Sequence, residues 1–168
     1  NNYGLCGPVV FNVRPGTYNE QIDLGPVPGA SAVNTLTFQS ETGVNTDVTL
    51  TFAATGTANN YVVNLDGSEF VSFRNMTITA TGSSYGIAVN IAGTASDNTF
   101  ENCELVSPNT NSTSTYMTVV YSPSGTLNPR TSFINCGIRE GSYGMYLYGG
   151  GTTSTEDDVL VKNCEFTG

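Results

Sequence analysis

The sequence predicts an all-β solenoid, one chain wound into about five or six stacked coils of parallel strands. Three observations predict it. First, a short phrase returns four times: Phe73-Arg74-Asn75-Met76-Thr77-Ile78, Phe100-Glu101-Asn102-Cys103-Glu104-Leu105, Phe133-Ile134-Asn135-Cys136-Gly137-Ile138 and Val161-Lys162-Asn163-Cys164-Glu165-Phe166. Its Asn residues lie 27, 33 and 28 positions apart, a period that signals stacked supersecondary units. Second, Tyr-led segments alternate with the phrases, at 61–67, 85–91, 116–121 and 143–148. Third, no segment carries a sustained apolar period of 3.6, and Thr, Val, Phe and Tyr dominate the periodic stretches, as strands prefer.

Within the phrase, apolar and polar residues alternate up to Asn, as in a strand with one buried face. The alternation then breaks. Phe73 and Met76 are three apart yet both read as buried, which a bend at Asn75 explains. Asn is among the few non-Gly residues that tolerate the left-handed region. Stacked coil on coil, Asn75, Asn102, Asn135 and Asn163 form a predicted ladder, hydrogen-bonded to their neighbours' backbone. Met76, Cys103, Cys136 and Cys164 then share one interior column. In the Tyr-led strands, Val63, Ile87, Met117 and Met145 are predicted to point inward. Val62, Asn64, Asp66, Ala88, Asn90, Thr118, Val120, Tyr146 and Tyr148 are predicted to point outward.

Taken in order, residues 1–8 are a turn-rich lead-in and Val9–Val13 a strand, punctuated by Pro15-Gly16. Thr17–Leu24 is a second strand, with Tyr18, Ile22 and Leu24 apolar. A Gly/Pro/Ser loop fills 25–34. Strands follow at 35–39 and 47–52, with turns at 41–43 and 53–60, and the regular coils begin at Tyr61. Insertions occupy 107–115 and 149–158, neither long enough for a separate domain, so 1–168 reads as one β-helix domain. The last phrase, ending at Gly168, has nothing after it. Solenoids need capping repeats and open coil ends expose strand edges. The expectation is a fragment of a longer solenoid, or ends that pair with another molecule.

Composition excludes several classes. The net charge is −9 and the five basic residues, Arg14, Arg74, Arg130, Arg139 and Lys162, form no run. Phosphate contacts dominate nucleic-acid affinity, so nucleic acid is not an expected partner. No apolar run approaches the ~20 residues of a membrane span. The four Cys could form two disulfides. Three of them share one repeat position, which favours a column of free thiols behaving as small hydrophobes. The absence of His and of any CxxC pair argues against zinc.

The opening Phe11-Asn12-Val13-Arg14-Pro15-Gly16-Thr17-Tyr18-Asn19-Glu20-Gln21-Ile22 resembles the first coil of the pectin-lyase-like right-handed parallel β-helices. The family's opening is apolar-x-Val-x-Pro-Gly-x-Tyr-x-Glu-x-apolar, followed by a strand such as Leu36-Thr37-Phe38. The Asn corner is another family hallmark. The resemblance implies a single-stranded right-handed parallel β-helix, and its overall style resembles secreted surface proteins of Bacteroidetes-type bacteria. Such proteins are extracellular or held at the cell surface. A fold of this kind does not fix function.

The family's enzymes work in a groove beside one sheet, in this chain the Tyr-led one. Glycoside hydrolysis needs two carboxylates, and Asp66 is the one the sequence places on that face. The polygalacturonase Gly-His-Gly and the lyases' groove Arg have no counterpart, so no catalytic residue is assigned. The expected function is a non-catalytic structural or adhesive module; the alternative is a carbohydrate-active enzyme of the pectin-lyase-like group, or a degenerate piece of one. The expected partner is a polysaccharide, or a second copy of the chain through open coil ends. Asn64, Asp66, Asn90, Tyr146 and Tyr148 are the candidate ligand residues, because aromatic rings beside amides and carboxylates suit sugars. Tyr116, Tyr121 and Tyr143 read as core or loop anchors. Ca2+ is the one cofactor the sequence admits, at the acidic run Glu156-Asp157-Asp158; a solvated turn explains that run too. Arg74 and Glu101 are expected to pair across coils. Thr-x-Thr at 35–37, 49–51 and 77–79 is not expected to form one array.

Overall fold

The computed structural model describes residues 4–150 and 158–168. Among these residues the chain is a β-solenoid with five three-stranded coils and a sixth of two strands. Coil 1 comprises β1 (Val9–Val13), β2 (Gly16–Asn19) and β3 (Ile22–Leu24). Coil 2 comprises β4 (Leu36–Ser40), β5 (Val48–Phe52) and β6 (Val63–Asp66). Coil 3 comprises β7 (Val71–Arg74), β8 (Thr77–Ala80) and β9 (Val89–Ala92). Coil 4 comprises β10 (Thr99–Glu101), β11 (Glu104–Val106) and β12 (Val120–Ser122). Coil 5 comprises β13 (Ser132–Ile134), β14 (Gly137–Arg139) and β15 (Met145–Leu147), and β16 (Leu160–Lys162) and β17 (Glu165–Thr167) follow.

Each strand pairs in parallel with its counterpart one coil away. The order β1-β4-β7-β10-β13-β16 makes sheet A, β2-β5-β8-β11-β14-β17 sheet B, and β3-β6-β9-β12-β15 sheet C. No helix among the described residues is long and apolar enough to cross a membrane.

The register puts like on like. Phe11, Phe38, Phe73, Phe100 and Phe133 align in sheet A. Their rings stack 5.0, 5.2, 5.4 and 5.2 Å apart, within 13° of parallel. Each fully buried Phe contributes on the order of 2–3 kcal/mol of burial. Leu50, Ile78, Leu105 and Ile138 form the matching column in sheet B, buried to within a few per cent.

The corner between sheets A and B is the predicted Asn position. Asn75, Asn102, Asn135 and Asn163 all hold φ at +53°. Their ladder differs from expectation in its partners. Asn102 Nδ2 donates to Asn75 Oδ1 at 3.1 Å, Asn135 to Asn102 at 3.1 Å and Asn163 to Asn135 at 3.2 Å. The bonds run side chain to side chain, and the backbone makes its own bonds between coils. The Asn75, Asn102 and Asn135 N–H groups donate to Glu101, Ile134 and Lys162 one coil on.

A second left-handed corner precedes sheet A at Phe70, Asp97, Arg130 and Asp158, with φ of 56°, 56°, 58° and 54°. Residue type gives no hint of it. Buried Asn residues brace the turns around it. Asn98 accepts from Val71 N–H at 3.0 Å and donates to the Ser68 carbonyl at 2.9 Å. Asn128 accepts from Ala95 N–H and donates to the Ile91 carbonyl.

Several strand assignments are corrected. Thr17–Leu24 breaks into β2 and β3, since the chain turns at Glu20-Gln21 to pass from sheet B to sheet C. The Tyr-led strands start later than their Tyr: Tyr116 sits in a 3-10 turn at Thr115–Met117. The inward column is Ile22, Val63, Val89, Val120 and Met145. Ile87 and Met117 are buried in the turns ahead of it. Val62, Ala88, Thr118 and Val120 are fully buried rather than outward-facing.

The three Thr-x-Thr pairs do not form one array, since 35–37 belongs to sheet A, but two of them do come together. Thr49 and Thr77 align in sheet B, as do Thr51 and Thr79, with Thr17 and Asn19 beside them in coil 1. This row spans three coils. It gives way to Glu104, Gly137 and Glu165 in the same register.

Candidate functional site

Sheet C carries the site because period-two alternation turns one residue of each strand outward at the same height. The register aligns Asp23 with Asn64, Asn64 with Asn90, Asn90 with Tyr121, and Tyr121 with Tyr146. These five residues form one column across all five coils of the sheet. Its first part is polar and its second aromatic.

The polar part is a chain of hydrogen bonds. Asn64 Nδ2 donates to Asp23 Oδ1 at 2.8 Å, and Asn90 Nδ2 donates to Asn64 Oδ1 at 2.6 Å. Burial and the neighbouring Asp23 carboxylate push the Tyr61 phenol above its ordinary value. Asp66, two positions along β6 from Asn64, is exposed and aligned with Ala92.

The aromatic part is a ladder. Tyr121 and Tyr146 lie 6.0 Å apart with their ring planes 28° apart, and Tyr146 and Tyr148 lie 6.1 Å apart at 31°. Tyr143 tilts against Tyr146 at 5.4 Å. Tyr148 is 60% exposed, the most open of them. A groove of about 350 Å³ runs along the polar part, lined by Tyr61, Asn64, Asp66, Asn90, Tyr116 and Tyr121 among others.

The structure thus joins Asn64, Asp66 and Asn90 in one groove and continues their line through Tyr146 to Tyr148. Two members were not legible in the sequence. Asp23 lies in the irregular first coil, outside the Tyr-led repeat. Tyr121 reads as an anchor from the sequence, whose alternation puts Val120 outward; the strand is offset by one residue, and Tyr121 stands outward opposite Asn90. Asp23 and Asp66 also place two carboxylates on this sheet where one was expected. They are one coil and two residues apart, about 8 Å between Cα atoms from strand spacing and rise.

The other candidates lie elsewhere. Glu156 and Asp157 fall outside the described residues; Asp158 is exposed at the left-handed corner ahead of β16. No group of three His, Cys, Asp or Glu residues placed to hold a metal occurs among the described residues. The four cysteines are free thiols. Cys103, Cys136 and Cys164 each approach the carbonyl of the Phe one coil back, Phe73, Phe100 and Phe133, at 3.4 Å. Burial pushes the Cys103 thiol well up, and the hydrogen bond with Cys103 draws the Cys136 thiol down; both sulfurs are buried in the core.

Three of the five basic residues are committed to carboxylates away from sheet C. Arg74 meets Glu101 at 3.3 Å, as the repeat predicted. Arg130 forks onto Asp97 with two bonds of 2.7 Å, which holds the Asp97 carboxyl below its usual range. Arg139 bridges Glu104 and Glu165. No protein-family model matches the chain, and no curated protein or solved structure matches it either.

Proposed function

We propose that the chain is a non-catalytic, extracellular adhesive module of a bacterial surface protein, a pectin-lyase-like β-helix in style, that holds a polysaccharide on sheet C. The observation that carries the reading is the outward column Asp23–Asn64–Asn90–Tyr121–Tyr146. Amide and carboxylate oxygens accept sugar hydroxyls, and a phenol ring offers its apolar face to sugar C–H groups while its O–H stays wet. A column with one group per coil repeats about every 4.8 Å, so a linear polymer can meet several groups at once. A small molecule could meet only one or two. Ligand sites combine a few placed polar groups with aromatic walls in this way.

A second reading, glycoside hydrolysis, has one observation in its favour: Asp23 and Asp66 share the sheet at a spacing compatible with a carboxylate pair. Against it, one oxygen of Asp23 is occupied by the Asn64 amide. Migration through native gels cast with polysaccharides, stained afterwards for substrate clearing, tests both. Retardation without clearing, lost in Tyr146→Ala and Tyr148→Ala, is the expected outcome. Clearing would establish the enzyme. Unretarded migration in every gel would remove the carbohydrate reading.

A further inference from the structure

The groove has a polarity, and Asp23 sets it. A carboxylate can only accept. The amide of Asn64 must therefore turn its nitrogen toward Asp23, which leaves its oxygen facing coil 3. Asn90 must then turn its nitrogen toward Asn64, as the bonds of 2.8 and 2.6 Å record. The chain ends with Asn90 Oδ1 facing the Tyr121 coil, and among the described residues no donor reaches it. Asp66 likewise accepts no hydrogen bond from a described residue. Asn60, the third amide in the groove, is committed to the backbone: it accepts from Ile87 N–H and donates to the Tyr116 carbonyl.

The groove therefore presents the Asp66 carboxylate and the Asn90 amide oxygen as open acceptors, with the Asp23 carboxylate next in the column behind Asn64. No cation balances them. All five basic residues of the chain lie off sheet C: Arg14 in the turn before β2, Arg74 and Lys162 in sheet A, Arg139 in sheet B and Arg130 at a corner.

Resting on the reading of sheet C as a carbohydrate face, we propose that the groove takes an uncharged linear glycan and rejects polyuronates and sulfated glycans. Sugar hydroxyls donate to Asp66 and to Asn90 Oδ1, and the sugar rings continue onto Tyr121 and Tyr146. An anionic glycan would bring like charge into a groove with no counter-charge, where partial desolvation strengthens the repulsion.

The test measures binding of the intact chain in EDTA to two pairs of soluble polymers. Hydroxyethyl cellulose is set against carboxymethyl cellulose, which share a backbone, and galactomannan against polygalacturonate. The expected result is binding to a neutral polymer and at least about tenfold weaker binding to its charged counterpart. The double variant Asp23→Asn, Asp66→Asn should bring the two within a few-fold. Glu20→Gln with Glu41→Gln, which removes equal charge away from the groove, should leave the discrimination unchanged. If the double variant fails to fold, Asp66→Asn alone serves, since Asp66 is exposed and makes no side-chain hydrogen bond to a described residue.

Polyanion binding equal to neutral binding would overturn the ligand class and leave the carbohydrate face standing. Discrimination that survives the groove variant, or vanishes in the Glu20/Glu41 control, would overturn the role given to Asp23 and Asp66. A folded chain that binds neither class would remove the carbohydrate face itself.

Discussion

Asn102 donates through its side chain to Asn75 at 3.1 Å, while both residues hold the same left-handed backbone, φ +53°. One residue type thus meets two demands at the corner: it adopts a conformation that costs most L-residues about 1–2 kcal/mol, and it bridges to the next coil. The two demands separate by substitution. Asn102→Gly keeps the backbone freedom and loses the bridges to Asn75 and Asn135. Asn102→Ala loses both. Urea unfolding should show Asn102→Ala destabilised by about 2–3 kcal/mol and Asn102→Gly by roughly 1 kcal/mol less. Equal losses would mean that the ladder bonds, and not the backbone, carry the corner.

Asn98 should be costlier still. It is fully buried and serves Val71 N–H and the Ser68 carbonyl together. Asn98→Ala leaves the Val71 N–H without its partner and the Ser68 carbonyl with the Ser96 N–H alone, and an orphaned buried group costs about 1–3 kcal/mol. Asn98→Ala should therefore lower stability by more than Asn102→Ala in the same urea series. A smaller loss would show that water replaces the amide.

The Phe column should be graded along its length. Phe100 is fully buried between Phe73 and Phe133, whereas Phe11 in the first coil is 49% exposed. Phe100→Ala should cost about 3–5 kcal/mol and Phe11→Ala less than half of that. Similar losses at the two positions would show that the exposed end is covered in solution.

Alkali should weaken the fold through Cys103. Its folded pKa is raised well above the ordinary thiol value by burial. The sign follows: below the unfolded pKa, about 8.5, the thiol is protonated in both states and its contribution is complete. As pH climbs from there toward the raised folded value, only the unfolded state ionises, and stability falls. Melting temperatures at pH 7 and pH 10 should drop further in the wild-type chain than in Cys103→Ala. Parallel drops would put the alkaline sensitivity elsewhere. At neutral pH, a thiol reagent should label exposed Cys6 in the native chain and reach buried Cys103 and Cys136 after unfolding.

Legibility in the sequence followed the chemistry of each position. The sheet A to sheet B corner was readable because Asn both tolerates that conformation and bridges its neighbours there, so it recurs at 75, 102, 135 and 163. The Phe and Cys columns were readable because burial selects residue type at a fixed repeat position. The other left-handed corner was not, since Phe70, Asp97, Arg130 and Asp158 share a φ and no side-chain chemistry.

The candidate site divides along the same line. Asn64, Asp66 and Asn90 were found because they sit in regular, alternating strands. Val62 and Ala88 do not follow the alternation because they lie in the turns ahead of β6 and β9, and Thr118 and Val120 because a one-residue change of register exchanges the two faces of a strand. Local alternation thus determined that this chain is an all-β solenoid with an Asn corner and stacked apolar columns. Which polar residues meet across coils depends on where each variable turn delivers its strand. Only the tertiary structure decided that Asp23 of coil 1 stands beside Asn64, and that Tyr121 and Tyr146 extend their line.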